Sequence, residues 1–220
     1  MKIRAIITGV TGMVGEGVMH ECLLSNEVEH VLVIVRKPSG FTHPKLTEIV
    51  HKDFQNIAAI ESQLKNYNAC FFCLGVSSVG MKEPEYFRLT YDLTVHFAET
   101  VSRLNPEMTF CYISGAGTDS TEKGRSMWAR VKGKTENKLA SLPFKKAYMF
   151  RPGYIHPTKG LKNTLKPYRY ISWMYPILKT FFPNSASTLR EVGLAMINVT
   201  AKGFNKQILE VRDIIRAAKL

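Results

Sequence analysis

The sequence predicts a doubly wound α/β domain built on a parallel sheet, and three observations carry that expectation. Residues 3–7 (Ile-Arg-Ala-Ile-Ile) and 31–35 (Val-Leu-Val-Ile-Val) are runs of strand length dominated by β-branched residues, the pattern of strands buried on both faces. Between them, residues 15–25 form a helical segment, with Val14, Val18, Leu23 and Leu24 at roughly helical spacing. Strand, glycine-rich turn, helix and strand thus fit within about 35 residues, the size of one βαβ unit. The alternation then continues along the chain, and right-handed crossovers of this kind place helices on both faces of an open parallel sheet.

Further strands are expected at residues 46–50, 69–74, 108–113, 147–150 and 207–211, and helices at 56–64, 84–104 and 127–142. The 220 residues fit one domain spanning 1–220. Residues 152–182, rich in Pro, Tyr, Trp and Lys, depart from the alternation, and a small C-terminal substrate cap is expected mainly from 152–200. A hydrophobic fraction of 45%, 22% charged residues and a mean hydropathy of −0.09 exclude disorder, collagen-like repeats and coiled coil. The apolar stretch 170–182 contains Pro176 and Lys179 and falls short of the roughly 20 residues that a membrane span needs. The early apolar run breaks at Gly9, too soon for a signal-peptide core, and four scattered Cys make no disulfide framework. Together these point to a reduced intracellular protein, with a cytoplasmic location expected.

Thr8-Gly9-Val10-Thr11-Gly12-Met13-Val14-Gly15 lies where the first strand gives way to the first helix. Glycines there let the backbone turn sharply and approach a pyrophosphate, whose charge is favoured by the free N–H groups of the helix N-terminus. In this context the Gly-x-x-Gly-x-x-Gly spacing reads as a dinucleotide-binding (Rossmann) loop, the alternative being a tight turn without a ligand. After the second strand, where an NAD site would place Asp or Glu against the ribose 2′-hydroxyl, this chain has Arg36-Lys37. Two cations suit a 2′-phosphate, so NADP is favoured over NAD; a solvated basic turn is the alternative. Asp53-Phe54 follows the third strand and either offers a carboxylate to the adenine amino group or caps the segment from Gln55.

The motifs just described, with Cys73-Leu74-Gly75, Ile113-Ser114-Gly115-Ala116, Lys132-Gly133-Lys134 and Arg151-Pro152-Gly153, occur in register over residues 1 to about 155. In these the chain resembles the atypical short-chain dehydrogenase/reductases, of the small NAD(P)-binding group that includes the Tat-interacting tumour-suppressor protein and its bacterial relatives. The resemblance implies that Leu74 and Gly75 lie along the cofactor ribose, that Ser114 positions a substrate carbonyl, and that Lys132 bonds the nicotinamide ribose. It also carries Arg151, Pro152 and Gly153 into the cofactor site. The family places a Tyr four residues before that Lys as general acid or base; here the position is Trp128, whose indole N–H donates a hydrogen bond but exchanges no proton at accessible pH. Tyr91, Tyr154 and His156 are the alternative proton donors, each equally readable as packing or surface. Two functions follow: an NADP-dependent reductase acting on a small carbonyl compound, or an NADP-binding regulatory or interaction protein without turnover.

Cys70-x-x-Cys73 falls in an expected central strand, where residues i and i+3 point to opposite faces, so the pair cannot chelate together. It is read, like Cys22 and Cys111, as buried apolar packing and not as a metal site. The net charge of +12 concentrates toward the C-terminal part: no Asp or Glu falls between Glu136 and Glu191, while Lys145, Lys146, Arg151, Lys159, Lys162, Lys166, Arg169 and Lys179 do. That face is either a solvated cover, an electropositive mouth for NADP or an anionic substrate, or a surface lying on acidic lipid with Trp173, Tyr175, Phe181 and Phe182 inserted. The same aromatic stripe also suits a homo-oligomer contact. Without a docking element, specific nucleic-acid binding is not expected.

Overall fold

The computed structural model describes residues 2–164, 175 and 184–220. In chain order the elements are β1 (Ile3–Thr8), α1 (Met13–Leu24), β2 (Val28–Val35), β3 (Leu46–Val50), a 3-10 helix (Ile57–Leu64) and β4 (Ala69–Phe72). Then come α2 (Glu83–Phe87), which passes through a π turn (Arg88–Asp92) directly into α3 (Leu93–Leu104), β5 (Thr109–Ile113), α4 (Met127–Ala140) and β6 (Lys146–Arg151). The chain ends with β7 (Tyr154–His156), β8 (Ala186–Thr188), α5 (Leu189–Lys202), β9 (Ile208–Glu210) and α6 (Val211–Ala217).

Seven strands form one sheet in the order β3-β2-β1-β4-β5-β6-β9, every neighbouring pair parallel. The predicted doubly wound sheet is thus present. Alternate residues of each strand feed two cores, because successive side chains point to opposite faces. On one face Ile3, Ala5, Ile7, Val31, Val33 and Phe71 pack beneath α1, α5 and α6; on the other Ile6, Leu32, Ile34, Phe72, Phe110 and Tyr112 meet the 3-10 helix, α3 and α4. Cys22 and Cys111 belong to the first core with Cys73 packed against it, and Cys70 to the second, so the Cys-x-x-Cys pair is split between faces. Burial pushes the Cys73 thiol up to about 12.

The differences from expectation have local causes. The segment 56–64 is a 3-10 helix, its Ile57, Ile60 and Leu64 at the i, i+3 spacing of that helix facing inward, with one wider step. The helix expected over 84–104 is interrupted by the π turn, in which the Leu93 N–H bonds back five residues to the Arg88 carbonyl. Helix α5 was missed although Thr188-x-x-Glu191 announces it: Glu191 N–H donates to Thr188 Oγ1 at 3.0 Å and Thr188 N–H to Glu191 Oε2 at 2.7 Å, a capping box. It covers the sheet beside α1, while β7, just after β6, pairs with β8 in a separate two-stranded sheet.

Candidate functional site

The strand order reverses between β1 and β4, and a crevice at the C-terminal ends of strands opens at such a switch point. The glycine loop fills its floor. Gly9 sits at φ +74°, which L side chains rarely adopt, and a Cβ there would stand 2.6 Å from the Cys73 carbonyl oxygen. A Cβ on Gly15 would stand 2.2 Å from the Gly9 carbonyl oxygen. The loop closes through Gly12 N–H to the Gly9 carbonyl at 2.9 Å, and Leu74 N–H donates to Thr8 Oγ1 at 3.3 Å, tying β4's end to β1's. Gly12 is the N-cap of α1 and has no side chain to cover the first turn, while Thr11 and Gly12 lie exposed. Val10 and Met13 are buried and Val14 half-buried, anchoring the loop from below.

Beside this loop a cleft of about 320 Å³ is lined by Arg36 from the end of β2, Lys52, Asp53, Phe54 and Gln55 after β3, Leu74, Gly75 and Val76 after β4, and Arg88, Leu89 and Leu93 from the opposing helix. Lys37 is exposed next to Arg36 but does not line it. Asp53 Oδ1 accepts from Gln55 N–H at 2.9 Å in a turn ahead of the 3-10 helix, whose N-cap is Asn56 and has no side-chain cap, so the expected helix cap is not formed; the same residue borders the cleft. Lys52 and Arg88 are the residues that sequence reasoning missed. Lys52 directly precedes the Asp53-Phe54 motif, whereas no sequence signal marks the π turn that presents Arg88.

Ser114 and Lys132 meet at the end of β5. Lys132 Nζ donates to the Ser114 carbonyl at 2.5 Å and lies 3.4 Å from that of Ile113, with the ammonium 5.9 Å from the Tyr112 ring centroid. Desolvation, opposed by the nearby Glu136 carboxylate, brings this amine down to about 8. Ser114 Oγ donates to the Phe150 carbonyl at 3.0 Å, so a substrate oxygen must compete for that proton. Trp128 lies one turn before Lys132 on α4, and a Cβ on Gly117 would be 3.5 Å from its Cη2, which puts the indole over the loop after Ser114. The helix can pass so close because residue 133 is glycine: a Cβ there would be 1.8 Å from the Asp119 carbonyl oxygen.

The alternative proton donors have neighbours of their own. Tyr91 stacks on Phe87 at 4.7 Å, and the Lys134 ammonium lies 5.6 Å from its centroid, on another face of α4 from Lys132. His156 stacks on Tyr175 at 4.2 Å and lines a separate groove with Thr188, Arg190 and Lys219; burial lowers its pKa. Tyr154 precedes it on β7.

Arg151 corrects an expectation. Its guanidinium bonds Glu136 through Nε at 3.0 Å and an Nη at 2.5 Å, Ser120 Oγ at 2.5 Å and Glu210 at 3.2 Å. Four of its five N–H donors are thereby used inside the protein, so it braces the site and is not offered to a cofactor. Pro152 holds the loop after β5, its carbonyl accepting from Ala116 N–H at 2.9 Å, and Gly153 lets β7 pass the Ser185 carbonyl, 2.3 Å from where a Cβ would sit. Trp173, Phe181 and Phe182, with Lys166, Arg169 and Lys179, lie outside the described residues. Among the described residues no cluster of potential metal ligands occurs and no helix is long and apolar enough to cross a membrane.

Comparison with known proteins agrees with this fold. The sequence model of the NAD dependent epimerase/dehydratase family matches residues 5–125. Protein FMP52-1, mitochondrial, of Scheffersomyces stipitis is 24% identical over 210 residues, covering 93% of this chain and 91% of that protein. Protein HTATIP2 of Rattus norvegicus is 24% identical over 151 residues, 68% of this chain and 63% of its own. Among solved structures, a UDP-N-acetylglucosamine 4-epimerase from Methanobrevibacter ruminantium M1 superposes with a TM-score of 0.68 at 17% identity, covering 95% of this chain and 76% of that one. An NADPH-bound carbonyl reductase from chicken fatty liver gives 0.66 at 15%, covering 97% and 98%. The expected cytoplasmic location is corrected by the relatives: several, from Scheffersomyces stipitis to Candida glabrata, are named mitochondrial. The four free cysteines do not say which compartment holds the protein.

Proposed function

Because this chain belongs to the NAD dependent epimerase/dehydratase family, we propose that it is an NADP-dependent oxidoreductase that reduces a small carbonyl compound. The observation that carries the reading is the cleft beside the glycine loop, with Arg36, Lys52 and Arg88 on its walls and, among its lining residues, one acidic side chain, already engaged by Gln55 N–H. A ribose 2′-hydroxyl calls for an acceptor, which Arg36 is not, whereas a 2′-phosphate dianion calls for cations. The fit to a dinucleotide rests on the tight loop that Gly9 and Gly15 allow by packing against the Cys73 and Gly9 carbonyls, and on the exposed N-cap Gly12 of α1, where no side chain stands between a diphosphate and the helix N-terminus. The nicotinamide supplies hydride chemistry when bound. On this reading Lys132 fixes the ribose beside it, Ser114 orients the substrate oxygen once its bond to Phe150 is exchanged, and Trp128 walls the site.

A second reading, an NADP-binding regulatory protein without turnover, is favoured by Trp128 standing where the family resemblance implies a proton-exchanging Tyr, and by the inward-turned Ser114 hydroxyl. Calorimetric titration with NADPH and NADH tests the cofactor. Micromolar NADPH binding, much weaker NADH binding and a selective loss of NADPH in Arg36→Ala are expected; equal affinities, or equal weakening of both, would sink the 2′-phosphate assignment. A carbonyl panel with NADPH, run on the wild type and Trp128→Tyr, separates the readings. Turnover by the wild type supports the reductase, and turnover only in Trp128→Tyr supports the regulator.

A further inference from the structure

We propose that Arg88, carried into the adenosine cleft by the π turn, is a specificity-determining cation for the 2′-phosphate, facing Arg36 and Lys52 from the opposite wall. The inference rests on the NADP reading and extends it to a residue on a helix far from the β2 turn where such selectivity is read in sequence.

Three observations support it. First, the π turn sets the direction of the side chain. In a regular α-helix residues i and i+5 stand roughly 140° apart around the axis. The i to i+5 bond from Leu93 N–H to the Arg88 carbonyl widens the turn and brings both residues to the cleft, with Leu89 between them. Pi turns are rare and frequently occur at functional sites, so the irregularity itself favours a binding role. Second, the neighbouring residues of the same helix are committed elsewhere. Phe87 and Tyr91 stack on one another and hold the Lys134 ammonium 5.4 Å and 5.6 Å from their centroids, while Arg130 pairs with Glu83 at 2.7 Å. Third, among the described residues the side chains of Arg36, Lys52 and Arg88 have no ion-pair or hydrogen-bond partner, although Glu61, Glu83 and Glu99 are each paired to other cations. Three like charges around one cleft repel until an anion joins them, and a dianion with three acceptor oxygens satisfies more than one donor at once. On this reading Leu89 and Leu93 give the adenine its apolar wall, and Arg88, lining the same cleft, takes the ribose edge.

The test compares Arg88→Ala and Arg88→Lys with the wild type by calorimetry against NADPH, NADH, 2′-AMP and 5′-AMP, with thermal melting as a control of folding. The expected result is about a tenfold loss of NADPH and 2′-AMP affinity in Arg88→Ala, NADH and 5′-AMP within about twofold, and partial recovery in Arg88→Lys, which keeps the charge but not the fork. Equal weakening of NADPH and NADH would overturn the proposal by making Arg88 an adenine contact, and so would an unchanged preference. A wild type that binds NADPH and NADH alike would overturn the NADP reading itself, a failure visible before any variant is made.

Discussion

At the residue scale the site is decided by which donors are free and which are spent. Arg36, Lys52 and Arg88 line the cleft without a hydrogen-bond or ion-pair partner among the described residues, whereas Arg151, equally basic, is bound within the protein. Lys132 stands between these cases. It is charged, partly withdrawn from water and bonded to two backbone carbonyls. Its pKa falls to about 8, below the usual 10.5 for lysine. With the folded pKa below the unfolded one, the unfolded chain binds the extra proton between these values, so the amine lowers stability at neutral pH and relieves that cost as pH rises through the window. Urea unfolding of the wild type and Lys132→Met from about pH 7.5 to 9.5 should therefore show the wild type gaining on the variant as pH rises, which cancels the shared titration of tyrosines and cysteines. A constant difference would mean that the amine keeps its ordinary pKa in the fold.

At the scale of elements, the site depends on α4 being held against β6 and β9, and the Glu136 to Arg151 pair is the clamp. Glu136 is 1% exposed and Arg151 11%, and Glu210 of β9 joins from the far side at 3.2 Å. Removing one partner of a buried pair leaves an uncompensated charge, at a cost of about 3 kcal/mol. Glu136→Gln should lower the unfolding free energy by about that amount while NADPH affinity of the folded protein stays close to wild type. A large loss of NADPH affinity without loss of stability would return Arg151 to the cofactor site. Elements that announce themselves by periodicity were legible in the sequence: β1, β2 and β3, helices α1 and α4, and the glycine loop, whose residues all lie within one turn of chain. The capping box of α5, Thr188-x-x-Glu191, is also legible in the sequence. The π turn and the Arg151 clamp were not, because each depends on side chains 15 or more residues away or on one inserted backbone step. Arg151-Pro152-Gly153 matched a family pattern, and a pattern gives residue type without saying where a guanidinium turns.

At the scale of the whole molecule the excess of 30 basic over 18 acidic residues raises an alternative source of NADPH preference. NADPH is the more negative cofactor, so a diffuse positive field attracts it more strongly than NADH without any specific contact. Ionic strength separates the two sources, because the screening length is about 10 Å at 0.1 M salt and about 3 Å at 1 M. Charges spread over the far surface lose their influence within the lower part of that range. Cations in contact with a phosphate in a cleft are screened much less, since little solvent stands between them. If Arg36, Lys52 and Arg88 carry the preference, both cofactors should lose affinity between roughly 0.05 and 0.5 M NaCl, while the ratio of their dissociation constants falls by less than about threefold. A ratio that collapses to one by about 0.15 M would assign the preference to the net charge of the molecule, and the cleft would then be a dinucleotide site without a 2′-phosphate subsite.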